Sequence, residues 1–241
     1  MEVNMKQLIE GNIFDTLPGC GQAKCIIADP PDAIGLKYKN SIDKMKPDVY
    51  EQFMWDCLNL FILHTDLVWI SYNARWIDMM GHLVYQLLKE HSSLESKTLI
   101  QPFTFGQSNS RDCGNGFRPI LRLKDKTEAT IYPDQIRVPS WRMIHGDKRA
   151  NPKGCVPLDV WPFPRVTGNS KQRRKWHPTQ LHEGLIERII KLSTQEGDTV
   201  YDVFSGTGTV MRVCERLNRN VVAFEADPFY CDKLREEHKC Q

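Results

Sequence analysis

The sequence predicts an α/β fold: a mainly parallel sheet with helices on both faces. Three observations carry that prediction. Short apolar runs of strand length alternate with stretches of helical periodicity. Two of those runs, one near each end of the chain, are apolar enough to be buried on both sides and stop at a turn rich in Pro or Gly. The chain has 241 residues, 41% of them hydrophobic, which suffices for one sizeable core but is short for two full domains.

Taken in order, strand signals fall at 25–28, 67–71, 99–103, 120–123, 199–204 and 220–224. Helical periodicity lies between them. Residues 49–63 place Phe53, Leu60 and Phe61 near one face; 76–89 do so with Ile77, Met80, Val84 and Leu88. The pattern recurs over 181–192 with Leu185, Ile189 and Leu192, and a further helix is expected from about Thr209 to Leu217. One interval, 133–178, has few periods of either kind and is punctuated by Pro and Gly. It is too long for a passive connection, so a single domain over 1–241 carrying a functional insertion at 133–178 is expected.

Charge points the same way. The chain carries 32 Lys and Arg against 30 Asp and Glu, yet from Arg137 to Trp176 there are ten basic and two acidic residues. A segment of +8 therefore sits on a body of −6, and one face is expected to attract a polyanion. A solvated basic loop is the plain alternative. No run of eighteen apolar residues occurs and the first ten residues lack a signal-peptide pattern, so a membrane protein and an exported one are both disfavoured. Eight cysteines show no C-x-x-C and no Cys/His pairing, which suggests neither metal site nor disulfide framework but reduced thiols in a cytoplasmic chain.

The run Thr199-Val200-Tyr201-Asp202-Val203-Phe204-Ser205-Gly206-Thr207-Gly208-Thr209 reads as a buried strand, a glycine turn and a helix start. Such a turn brings backbone close to a ligand and aims helix N–H groups at it. Glu225 ends the next strand, 17 residues after Gly208, where a strand-end acid reaches ribose hydroxyls in nucleotide-binding α/β folds. The turn is not G-x-G-x-x-G and no Walker lysine follows it. A cofactor with ribose but no phosphate fits better than NAD or ATP, with plain strand–helix packing as the alternative.

Asp29-Pro30-Pro31-Asp32 directly follows the apolar run 25–28. Two prolines fix φ and remove two N–H donors, leaving a stiff loop of carbonyl acceptors beside a carboxylate. Asp29 and the Pro30 carbonyl could each accept one proton of an exocyclic amino group, orienting its lone pair toward an electrophile.

With His177-Pro178-Thr179-Gln180 ahead of the glycine turn, these segments resemble the β-type amino-methylating DNA methyltransferases, in which the catalytic motif precedes the cofactor motif. The likeness spans nearly the whole chain, including the stretches around Phe103-Thr104-Phe105-Gly106 and Asp147-Lys148-Arg149. It implies a Rossmann-like methyltransferase fold with an antiparallel end strand, S-adenosylmethionine as methyl donor and double-stranded DNA as partner. A homodimer is possible within the family. By position, Asp29, Pro30, Pro31 and Asp32 would form the catalytic loop. Asn12, Asp29, His177, Thr179, Gln180, Asp202, Phe204, Ser205, Gly206, Thr207, Gly208, Thr209 and Glu225 would surround the cofactor. DNA contacts are expected from Arg142, Lys148, Arg149, Lys153, Lys171, Arg173, Arg174 and Lys175, interleaved with Trp141, Trp161 and Trp176.

The sequence departs from the family at the fourth catalytic position, where an aromatic ring usually stacks on the extruded base and Asp32 stands instead. Base–aromatic stacking contributes about 1–3 kcal/mol. Asp32 is therefore read in three ways: it weakens or abolishes activity, it bonds an unusual base, or it is an engineered or drifted position with Tyr38 or another aromatic supplying the stack. Milder departures are Leu181-His182 and Val203. The implied activity is methylation of the adenine amino group, with base flipping. The alternatives are the cytosine amino group, an RNA substrate and a DNA-binding module that has lost its chemistry.

Overall fold

The computed structural model describes residues 5–103 and 110–240. Thr104, Phe105 and Gly106 of the sequence comparison lie outside them. Seven strands form one sheet: β1 (Lys6–Glu10), β2 (Cys25–Ala28), β3 (Leu67–Ser71), β4 (Leu94–Pro102), β5 (Phe117–Asp125), β6 (Thr199–Asp202) and β7 (Asn220–Glu225). Their order is β1-β7-β6-β2-β3-β5-β4. The first five strands in that order run parallel, and β5 pairs antiparallel with both β3 and β4. The antiparallel edge expected from the family resemblance is thus the β4–β5 hairpin.

Alternation along the strands divides the core into two layers. Ile26, Ala28, Val68, Ile70, Tyr201 and Phe224 meet α2 (Pro47–Ile62) and α3 (Ile77–Glu90) on one face. Cys25, Ile27, Trp69, Val200 and Val221 meet α5 (Glu183–Ser193), α6 (Thr209–Arg216) and α7 (Pro228–His238) on the other. Two short helices, α1 (Ile13–Thr16) and α4 (Trp141–Ile144), lie in connections.

Residues 133–178 hold a 3₁₀ turn at Pro133–Ile136, α4, an antiparallel bridge between Val138 and Cys155 and a parallel bridge from Val160 to Ile100 of β4. One expectation fails here. Trp161 is 1% exposed, lies 5.9 Å from the Trp69 ring and donates its indole N–H to the Leu158 carbonyl at 2.8 Å. Burying so large an apolar ring against the sheet outweighs any surface role, so Trp161 anchors the segment and is not a surface ring. Among the described residues no helix is long and apolar enough to cross a membrane.

Candidate active site and cofactor cleft

From β2 the chain crosses to β3, and from β6 it crosses in the opposite direction to β7, so the connections diverge at the carboxyl ends of β2 and β6. A crevice opens at such a switch point. It is a cavity of about 370 Å³ walled by the β1–α1 turn (Asn12, Ile13), the loop after β2 (Asp29, Pro30, Pro31, Asp32), the turn after β6 (Asp202 to Thr207, then Thr209) and the strand end at Glu225. His177, Thr179 and Gln180 close it from the chain before α5, and Tyr38, Asp43 and Met45 from the loop after the prolines. That loop is tied down where the Lys39 N–H reaches the Tyr230 hydroxyl at 3.0 Å and the Asn40 amide reaches Asp227 at 2.7 Å.

The turn after β6 depends on its glycines. Gly206 has φ +46°, and a side chain there would meet His177 Nε2 at 3.0 Å. Its N–H donates to Glu225 Oε2 at 2.8 Å, which locks the turn to the end of β7. Gly208 has φ +69° but does not wall the cavity; a Cβ there would meet Leu234 at 2.6 Å and His238 at 2.8 Å, so its bareness lets α6 lie close to α7. Glu225 also accepts the Asp227 N–H at 3.0 Å, and burial raises its carboxyl above the usual range. A carboxylate offers about four lone-pair sites, so acceptor capacity remains for a hydroxyl donor.

Asp202 is 3% exposed, and its Oδ2 has no hydrogen-bond partner among the described residues. Burial pushes this carboxyl up to about 8. An orphaned buried acid on a cavity wall suits a cationic ligand group, because pairing recovers the desolvation cost. His177, buried and held below its usual range by that burial, is neutral and directs Nδ1 at the Thr179 carbonyl at 2.6 Å. Gln180 spends its amide on the backbone of Gln172 and Arg174, and Asn12 caps α1 through the Phe14 N–H. Both therefore shape the wall while lining it.

At the end of β2 the structure reveals a residue that no local sequence signal marked. Arg118 of β5 donates Nη2 to Asp29 Oδ1 at 2.8 Å, Nη2 and Nη1 to the two Asp32 oxygens at 2.9 Å each, and Nε to the Ser71 hydroxyl at 2.6 Å. The Asp32 carbonyl accepts the Trp76 indole N–H at 2.7 Å. Asp32 is thus buried in an ion network. A second cavity of about 340 Å³ meets the first at Asp29, Asp32 and Arg118 and extends past Phe103, Asn115, Phe117, Arg165 and Arg173.

The basic residues of 137–176 divide by partner. Arg142, Lys148, Lys153, Lys171 and Lys175 are exposed. Arg149 is exposed but forked onto Asp147 at 2.9 Å. Arg174 pairs with Glu237, and Arg173 donates to the Val166 carbonyl at 3.1 Å while lining the second cavity. The four cations of the 171–175 run thus differ: Arg174 is paired with Glu237, Arg173 and Arg174 are half-buried, and among the described residues no ion pair is formed by exposed Lys171 or Lys175.

A switch-point cleft with a glycine turn, a strand-end acid and no phosphate cradle defines an α/β protein for a nucleoside cofactor. Comparison with known proteins narrows the class. Residues 23–236 match the DNA methylase family of N6 and N4 amino methyltransferases, and the chain belongs to that family. It is 30% identical over 219 residues to the type II methyltransferase M.HpaI of Haemophilus parainfluenzae, covering 88% of this chain and 66% of that protein. It is 27% identical over 226 residues to the DNA adenine methyltransferase YhdJ of Escherichia coli, covering 85% of this chain and 72% of that one. The fold matches the PvuII cytosine-N4-specific DNA methyltransferase with a TM-score of 0.66 at 14% identity, over 95% of this chain and 84% of that one. It matches the M1.HpyAVI complex with S-adenosylmethionine with a TM-score of 0.62 at 19% identity, over 97% and 100%.

The cavity fits S-adenosylmethionine on this chain's own chemistry. Its volume lies in the range of small-molecule sites. Glu225 retains acceptor capacity that ribose hydroxyls would use, the unpartnered Oδ2 of Asp202 would suit a positive group, and Ile13, Phe53, Phe204 and Phe224 add apolar wall that would suit a purine.

Proposed function

We propose that this protein transfers a methyl group from S-adenosylmethionine to the exocyclic amino group of adenine in double-stranded DNA. The observation that carries the reading is the position of Asp29: it walls both the cofactor cavity and the neighbouring cavity, so a group bound in each would meet beside its carboxylate. S-adenosylmethionine, when bound, supplies an electrophilic methyl on a sulfonium. Glu225 would hold the ribose, Asp202 a positive charge of the methionine part, and the glycine turn would exclude water beside them. Asp29 and the Pro30 carbonyl would accept the two amino protons, orienting the nitrogen lone pair and stabilising positive charge as it develops. No cysteine nucleophile is required.

The target base must leave the helix stack to reach Asp29, and the second cavity, walled in part by Arg165 and Arg173 of the 133–178 segment, would receive it. There Lys171, Lys175, Lys148 and Lys153 would meet phosphates, while Arg142, on α4, would reach base edges. The likeness to the DNA adenine methyltransferase YhdJ favours adenine. Labelled methyl transfer to unmethylated DNA tests the reading. Wild type should transfer, and Asp29→Ala should not while binding S-adenosylmethionine with nearly unchanged affinity. Transfer by Asp29→Ala near the wild-type rate would reject it.

A further inference from the structure

Arg118 stands at an unusual point for a cation. It is on β5, an inner strand paired on both sides, with a side chain 17% exposed, and every nitrogen of its guanidinium has a partner at the ends of β2 and β3. The fork closes on both oxygens of Asp32, whose side chain is 8% exposed, and one of the same nitrogens reaches a single oxygen of Asp29. A bidentate arginine–carboxylate pair fixes orientation as well as charge. The pair leaves Arg118 with one N–H direction for Asp29, and Asp29 with its other oxygen outside the fork.

We propose that Arg118 is a positioning residue for methyl transfer: gripped by Asp32 and Ser71, it holds the Asp29 carboxylate by one oxygen and leaves the other directed to the target amino group. Asp32 occupies the fourth position of Asp29-Pro30-Pro31-Asp32 to grip Arg118, not to meet the base. This rests on Asp29 being the residue that receives the amino group. An aromatic ring at position 32 would leave Arg118 without its fork, free to close on both oxygens of Asp29. None of the three readings of Asp32 taken from the sequence describes this role.

The arrangement has a titration signature. Asp29 is faced by Arg118 from β5, Asp32 from its own loop, the Ser71 hydroxyl from β3, Tyr38 from the following loop, Tyr50 from α2 and Asp202 from β6. Burial raises the Asp29 carboxyl, Arg118 pulls it down and Asp32 pushes it up. Removing Arg118 should therefore move the acid limb of the rate profile to higher pH. Neutralising Asp32 should move it to lower pH while the plateau rate falls, because Arg118 then turns its fork onto Asp29. Loss of a merely structural residue would not shift the limb in opposite directions.

The experiment is single-turnover methyl transfer to unmethylated DNA from pH 5 to 9 with Arg118→Met, Arg118→Lys, Asp32→Asn, Asp32→Tyr and Asp29→Ala, with calorimetric S-adenosylmethionine binding on each. Asp32→Asn should bind cofactor within about twofold of wild type and lose at least tenfold in plateau rate. Asp32→Tyr should lose as much, whereas a stacking role for position 32 predicts that it gains. If Arg118→Met does not fold, Arg118→Lys, which keeps charge but cannot fork, tests the positioning by rate and should also lose at least tenfold in plateau rate. Wild-type profiles in the Arg118 and Asp32 variants beside an inactive Asp29→Ala would overturn the proposal and leave the reading of Asp29 standing. An active Asp29→Ala would overturn that reading instead.

Discussion

Binding of S-adenosylmethionine should tighten by close to tenfold between pH 6 and pH 7, and Asp202→Asn should remove most of that dependence. Asp202 ends β6 with an unpartnered, buried Oδ2, and burial places its carboxyl at about 8. Two units below that value about 1% of the side chains are ionised, so presenting a carboxylate to a cation costs about 2.7 kcal/mol at pH 6 and about 1.4 kcal/mol at pH 7. The bond then formed to a positive group contributes about 1.5–3 kcal/mol. The complex holds Asp202 ionised where the free protein holds it protonated. Binding below pH 8 thus releases a proton, and log affinity should rise by nearly one per pH unit before levelling near 8. In Asp202→Asn the carboxyl proton is gone from both states. Affinity at pH 8 should fall by about ten- to a hundredfold, with little loss at pH 6, where wild type bears the ionisation cost. Calorimetry at pH 6.5 in two buffers of different ionisation enthalpy measures the released proton directly. A wild-type affinity flat across pH 6–8 with no proton exchanged would refute the reasoning.

Other outcomes follow from the same contacts. Glu225→Ala should weaken cofactor binding by about 1.5–3 kcal/mol and lower the melting temperature, because the N–H groups of Gly206 and Asp227 lose their acceptor; calorimetry and thermal unfolding read the two effects. Neutralising Lys171 and Lys175 together should flatten the slope of log DNA affinity against log salt by up to about 1.8. Adding Arg174→Ala should change that slope little, since Glu237 already neutralises this side chain; a further drop near 0.9 in filter binding across a salt series would contradict it. Trp161→Ala should cost about 3–5 kcal/mol of stability in denaturant unfolding, whereas a stability within about 0.5 kcal/mol of wild type would place that ring outside the core.

The parts of the fold that were legible are those whose burial is continuous. Cys25–Ala28 and Leu67–Ser71 are buried throughout, and the apolar runs in the sequence coincide with β2 and β3. β1 escaped notice because one of its five residues, Leu8, is buried, as befits a strand at the sheet edge. α7 was equally hidden, since its buried Tyr230, Cys231 and Leu234 are outnumbered by charges. β4 begins five residues before its apolar signal because its first five residues are half-buried or exposed, with no buried position among them.

At the cleft, the glycine turn, Glu225 and Asp29 could be read because strand, turn and acid are contiguous or one crossover apart. The grip on Asp29 could not. Arg118 is 89 residues from Asp29 and meets it only because β5 folds back antiparallel beside β3. Sequence spacing also treats every Lys and Arg of 171–175 alike, while Glu237 on α7 decides which of them keep a free charge.

The central claim is most directly tested by incubating unmethylated DNA with the protein and S-adenosylmethionine, digesting it to nucleosides and measuring methylated bases by mass spectrometry. The account predicts N6-methyladenine from wild type and none from Asp29→Ala. N4-methylcytosine in its place would contradict the choice of base, and no methylated nucleoside from a protein that binds both cofactor and DNA would contradict the claim of catalysis.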